Sequence, residues 1–105
     1  MKIYVAGPYS SGDVAQNVRN AIQAGNDIAD LGHIPFIPHL THFWHFLTPH
    51  PYTFWMKQDE VWLRECDALL RLKGESPGAD NEVAIATELD LKIYYSILEI
   101  PYINS

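Results

Sequence analysis

Short apolar runs alternate along this chain with longer amphipathic stretches. That alternation limits its fold more than any other feature. Lys2-Ile3-Tyr4-Val5-Ala6 is rich in β-formers and stops abruptly at Gly7-Pro8. Ile34-Pro35-Phe36-Ile37-Pro38, Ala68-Leu69-Leu70-Arg71-Leu72 and Ile93-Tyr94-Tyr95 read as three more strands, and Ile100-Pro101-Tyr102-Ile103 as a short fifth. Between the first two, Ser10, Ser11, Gly12 and Asp13 offer turn and N-cap chemistry. Val14, Val18, Ala21, Ile22, Gly25, Ile28 and Ala29 then recur at the spacing of one helical face, and Gly32 is a natural stop. A second helix is expected from about Thr53 to Cys66, and a third from about Ala79 to Leu89 after a turn-rich loop from Gly74 to Gly78. Short apolar strands joined by helical crossovers imply an α/β domain. It is a doubly wound parallel sheet of four to five strands with helices on both faces. Ligands of such folds sit beyond the carboxyl ends of the strands. Here those ends carry Gly7 to Gly12, His39 to His50 and Lys73 to Gly78.

A chain of 105 residues is one domain, residues 1–105, with enough length for one core. Its net charge of −6 argues against polymeric nucleic acid or an anionic membrane as partner, because phosphate contacts need clustered Lys and Arg. Cys66, the single cysteine, can form no intramolecular disulfide and no zinc site that needs two cysteines from one chain. No leader pattern is visible at the N-terminus, and a cytoplasmic location is expected.

The charges are unevenly placed. Leu31 to Met56 contains no Asp, Glu, Lys or Arg, yet holds all five histidines and all four phenylalanines. Pro35, Pro38, Pro49 and Pro51 forbid a continuous membrane-spanning helix there. The stretch is either an aromatic-rich loop folded over the core or a pocket wall that stacks on a flat ligand. On the second reading His42 and Trp44 are candidate contacts. His39, His42 and His45 recur every third residue, with His50 beyond, which raises a metal site as one reading. Pro38 and the aromatic filling weaken that geometry, so no metal and no cofactor are expected.

Two carboxylates lie where a surface charge is out of place. Counted from Trp55, the apolar stripe of the second helix includes Trp62, Leu63 and Cys66, and Asp59 falls on the same face. A buried aspartate costs several kcal/mol unless it is paired or hydrogen-bonded. Glu82 falls in the first turn of the third helix, where the helix dipole keeps a carboxylate ionised. Either residue alone reads equally well as an edge or capping group. Two on successive helices at the ligand edge form the pair that glycosyl transfer and glycoside cleavage use. Gly7-Pro8-Tyr9-Ser10-Ser11-Gly12 adds free backbone N–H groups between a strand and a helix. It is either a tight turn or an anion cradle.

These residues together resemble the nucleoside 2-deoxyribosyltransferase-like family, which includes the 2'-deoxynucleoside 5'-monophosphate N-glycosidases. Lys2 to Pro8 resembles the family's first strand and glycine turn. The segment Asp59 to Asp67, with two aspartates eight apart, resembles its helix-to-strand passage. Ser76-Pro77-Gly78-Ala79-Asp80-Asn81-Glu82 resembles the loop that delivers the nucleophilic glutamate, and is the most specific of the three.

The resemblance implies a flavodoxin-like fold. It also implies that Glu82 attacks C1' of the sugar, that Tyr4 orients it, and that Asp59 holds or protonates the departing base or contacts the sugar. Gly7, Tyr9, Ser10, Ser11, Gly12, Ser76 and Gly78 would bind substrate. Ser76 matches the glycosidase branch, where a serine contacts the phosphate. Ser10 departs from that branch, which has an arginine there. Asp67 reads as structural.

The expected function is cleavage or exchange of the N-glycosidic bond of a 2'-deoxynucleoside or its 5'-monophosphate. The expected partner is that small molecule, and a homo-oligomer, a dimer or larger, is expected. The resemblance implies a shared active site completed by a neighbouring subunit near the C-terminus, to which the tail Ile103-Asn104-Ser105 is a candidate contributor. The alternatives are a non-catalytic nucleotide-binding module and a metal-binding protein built on the histidine segment.

Overall fold

The computed structural model describes residues 1–103; Asn104 and Ser105 of the tail lie outside the described residues. Four strands, β1 (Lys2–Ala6), β2 (Ile34–Phe36), β3 (Ala68–Arg71) and β4 (Lys92–Tyr94), form one parallel sheet in the order β2-β1-β3-β4. Four helices connect and cover them: α1 (Val14–Asp30), α2 (His42–Leu47), α3 (Tyr52–Arg64) and α4 (Pro77–Glu88). The architecture is the doubly wound, flavodoxin-like α/β fold.

Alternation along β1 builds the two halves of the core. Successive strand side chains point to opposite faces. Ile3 and Val5 join Ala68, Leu70 and the α1 residues Ala21, Ala24 and Ile28 on one face. Tyr4 and Ala6 join Leu69 with Leu63 of α3 and Ala79 and Ala86 of α4 on the other. The chain leaves β1 toward β2 on one side and returns to β3 on the other, so the crevice opens where the winding reverses, above Gly7.

Helix α1 begins where capping chemistry was expected: the Asp13 carboxylate accepts from the Gln16 N–H at 3.1 Å. The buried stripe is narrower than the sequence pattern. Val18, Ala21, Gly25 and Ile28 face the sheet, whereas Ile22 and Ala29 fall on the flank and are exposed. Gly25 is obligatory by contact, because a Cβ there would lie 2.2 Å from the Ile37 side chain.

Three further expectations are corrected. Ile100 to Ile103 is not a strand: a 3₁₀ turn spans Ile97–Glu99, and the following residues run beside α1 without joining the sheet. Pro101 lacks the donor a strand needs, and the Ile103 N–H goes to the Leu31 carbonyl at 2.8 Å. The histidine-rich segment is not all loop, since a 3₁₀ turn (Pro38–Thr41) runs into α2. Trp62 is half exposed rather than buried, and its ring stacks on Phe36 at 5.2 Å.

Gly32 ends α1 at φ +92°, where L side chains are strained, and a Cβ there would sit 2.1 Å from the Ile103 carbonyl oxygen. Gly32→Ala is expected to cost roughly 1–3 kcal/mol of stability through strain and displacement of the C-terminal segment. Urea denaturation reads this directly, and a midpoint equal to wild type would contradict it. Among the described residues, no helix is long and apolar enough to cross a membrane.

Candidate active site

The crevice at the winding reversal opens into a cleft of about 600 Å³, within the size range of small-molecule sites. Its floor is the loop after β1, one wall is α2 with most of the length of α3, and the other is the first turns of α4. Two features bring that loop and the approach to α4 together. A Cβ on Gly7 would lie 3.0 Å from the Leu72 side chain, so the chain after β1 passes against the end of β3. Arg71, largely buried, then gathers the following loop: it donates to the carbonyls of Leu72 and Gly74 and to Asp80 Oδ1 at 2.9 Å. Arg71 lay in a strand run and carried no signal in the sequence for this clamp.

Glu82 stands on the cleft wall, and the Tyr4 hydroxyl donates to its Oε2 from the floor of the sheet. Tyr4 itself is fully buried, beneath the cleft rather than in its lining. Burial, and next to it the Glu82 carboxylate, push the Tyr4 hydroxyl far above its usual range, so it stays a donor. Burial also raises Glu82 to about 7; the nearby Asp59 charge adds to this, while the Tyr4 hydrogen bond and Arg71 oppose it. Asp59, reaching the same cleft from α3, is raised to about 6 by burial.

These observations correct the expectation that the dipole keeps Glu82 ionised. Ser76 caps α4, accepting from the Ala79 N–H at 3.1 Å, so the helix starts at Pro77 and Glu82 falls in its second turn. The dipole fades within the first turn, and desolvation prevails.

Gly7, Tyr9, Ser10 and Ser11 line the cleft, as do Ser76, Gly78 and His42. Gly12 does not; it sits at φ +83° in the turn before α1. Trp44 does not either. It packs edge-on against Trp55, with ring centroids 4.8 Å apart, and supports the wall from behind. Asp67 lies away from the cleft and accepts from the Lys2 N–H at 2.8 Å, which ties β3 to β1.

The histidines divide by partner. His33 is buried under the C-terminal segment, with Nε2 donating to the Pro101 carbonyl at 2.6 Å. His39 donates from Nε2 to the Pro8 carbonyl at 2.9 Å, and burial lowers its pKa. His42 Nδ1 lies 2.6 Å from the Tyr9 hydroxyl. His50 stacks on Phe54 at 3.9 Å. Among the described residues, no three potential metal ligands converge. The residues the sequence reading missed are Asn81, adjacent to Glu82 in the loop motif, and Tyr52, Met56 and Glu60 along the inner face of α3.

Fold and cleft define an α/β domain of the nucleoside 2-deoxyribosyltransferase-like fold. The structure is similar to that of a 2-deoxyribosyltransferase from the psychrotolerant bacterium Bacillus psychrosaccharolyticus, with a TM-score of 0.68 and 21% identity, over 89% of this chain and 69% of that one. Residues 1–96 match the family described as "Domain of unknown function (DUF7768)", and the chain belongs to that family. No curated protein matches it.

Proposed function

We propose that this protein cleaves or exchanges the N-glycosidic bond of a 2'-deoxynucleoside, with Glu82 as the nucleophile. One observation carries the reading: a cleft carboxylate braced from behind by the buried Tyr4 hydroxyl, with a second carboxylate, Asp59, in the same cleft. A Glu82 oxygen bonds to C1' as the C1'–N bond breaks, and the bonding pair leaves with the base. Asp59 supplies the proton that neutralises the leaving nitrogen. In the second half, water adds to C1', gives its proton to Asp59, and frees the Glu82 carboxylate with the sugar. A second base attacking in place of water completes a transfer. The missing 2'-hydroxyl makes the oxocarbenium-like transition state easier to reach, so this small set of groups suffices.

A neutral nucleoside fits the cleft better than a 5'-monophosphate. Among the described residues, no Lys or Arg lines the cleft. The positive end of α1, the other route to a phosphate, already faces the Asp13 carboxylate. The Tyr9 and Ser11 carbonyls are held by the Asn17 amide at 2.9 and 2.8 Å, which fixes the loop in that arrangement.

The test supplies each 2'-deoxynucleoside and its 5'-monophosphate, with and without free adenine, and follows base release by chromatography. Release from nucleosides faster than from monophosphates is expected. Tight calorimetric binding of a nucleoside with no release over hours would replace the enzyme with a binding module.

A further inference from the structure

We infer that His45 is a hydrogen-bond donor to the base, held in that state by Trp55, and that the cleft therefore selects a base presenting a ring carbonyl over one presenting an amino group. The inference rests on the nucleoside reading of the cleft and names the class of nucleoside.

Trp55 decides the matter because an indole N–H can only donate. Its Nε1 lies 2.8 Å from His45 Nδ1. The lone pair of the imidazole is therefore on Nδ1, and the proton of the neutral ring is on Nε2. The backbone N–H of His50 points at the same nitrogen from 3.3 Å and reinforces the choice. Trp55 is itself wedged edge-on between the rings of Trp44 and Phe54, each 4.8 Å away, so the donor that sets the tautomer is well packed.

His45 lines the cleft. Among the described residues its Nε2 has no internal partner, and it is not among the enclosed atoms that lack one. The other cleft histidines differ. The Nε2 proton of His39 is spent on the Pro8 carbonyl. His42 faces a tyrosine hydroxyl, which can donate or accept, so its tautomer can adjust to the ligand. The ring of His50 is engaged by its face, on Phe54. His45 is thus the cleft histidine with a committed and unspent donor, and the rings around it form a flat-sided wall suited to a base.

A committed N–H opposite a carbonyl makes a hydrogen bond. Opposite an amino group it sets two donors against each other, and at least one loses water without gaining a partner. The expected discrimination is on the order of ten-fold or more. Trp55 itself lines the cleft, and its part in this preference is that of a positioning residue acting through His45.

The experiment compares kcat/KM for 2'-deoxyinosine and 2'-deoxyadenosine, which differ at one carbonyl or amino position of the purine. Wild type, Trp55→Phe and His45→Phe are measured side by side. Calorimetry on Glu82→Ala reads the same preference as binding, without turnover. Nitrogen NMR on wild type reads the tautomer itself, and does not depend on any variant folding. The inference expects a bare Nδ1 and a protonated Nε2, a ten-fold or greater preference for deoxyinosine, a ratio near one in His45→Phe, and a reduced ratio in Trp55→Phe, where the longer His50 contact alone still holds the tautomer. Equal constants in wild type, or a protonated Nδ1, overturn it and leave the glycosidic reading intact. A binding preference without turnover overturns the glycosidic reading and supports this one. Failure of both nucleosides to bind overturns this inference, and base release from the other 2'-deoxynucleosides then decides the glycosidic reading separately.

Discussion

Glu82→Gln is expected to abolish base release and, above neutral pH, to make the folded protein more stable than wild type. The first half follows from the proposed role of Glu82, because glutamine keeps the shape of the side chain but not its nucleophilic carboxylate. Removal of a covalent nucleophile is expected to lower kcat/KM by roughly 10³-fold or more. The second half follows from burial. Glu82 titrates near 4.5 when free and at about 7 in the fold, because its charged form is desolvated. A group whose pKa is raised by folding takes up protons as the chain folds. Its stabilising contribution is complete below pH 4.5 and disappears as pH rises through 7. At about 1.4 kcal/mol per pH unit, wild type carries a penalty on the order of 3 kcal/mol above that point. Glutamine keeps an acceptor for the Tyr4 hydroxyl and carries no charge. Urea denaturation at pH 5 and pH 8.5 is therefore expected to separate the two proteins only at the higher pH. A variant both inactive and less stable at pH 8.5 would mean that Glu82 serves the fold rather than the chemistry.

Tyr4→Phe and Asp59→Asn are expected to shift the Glu82 ionisation in the pH–rate profile in opposite directions. Attack needs an ionised Glu82, which titrates at about 7, and proton delivery needs a protonated Asp59, which titrates at about 6. In wild type kcat/KM is therefore expected to peak between pH 6 and 7 and to fall on both sides. The Tyr4 hydrogen bond stabilises the carboxylate and the Asp59 charge destabilises it, both against the larger effect of burial. Phenylalanine at position 4 removes the bond and moves the Glu82 ionisation to higher pH, with a loss of roughly 10- to 100-fold at neutral pH. Asparagine at 59 removes the repulsion, moves the Glu82 ionisation to lower pH and leaves the profile without a descending limb. It also removes the proton donor, and the maximum falls by roughly 10²- to 10⁴-fold. Full profiles of kcat/KM for the three proteins check this. Limbs that stay where wild type has them would assign the ionisation to another group.

Much of this arrangement is legible along the chain, and the rest is hidden for identifiable reasons. The strand runs are short, apolar and bounded by Gly or Pro, so β1, β3 and their crossovers could be read locally. Ile100 to Ile103 shows the limit of that reading. It has strand-like composition, but Pro101 lacks a donor and the Leu31 carbonyl claims the Ile103 N–H. Asp59 stood out because it interrupts an apolar stripe. Arg71 did not, since its role depends on a loop that folds back to Asp80. Trp44 and His42 looked alike in sequence, yet one backs the wall and the other lines it. A six-residue helix turns its side chains through more than a full circle, so proximity in sequence says little about facing.

By itself the sequence determined the layered α/β alternation, the carboxylate pair and the charge-free stretch that became the cleft wall. Period, capping and hydrophobicity are local properties, and one chain states them completely. Only the tertiary structure decided that Tyr4 lies under Glu82 across 78 residues, that Glu82 is desolvated rather than held by a helix dipole, and that the Trp55 N–H meets His45 Nδ1. Each of these is a contact or a solvent exclusion between distant segments. Its energy comes from what surrounds the group in space, which no window of neighbours along the chain contains.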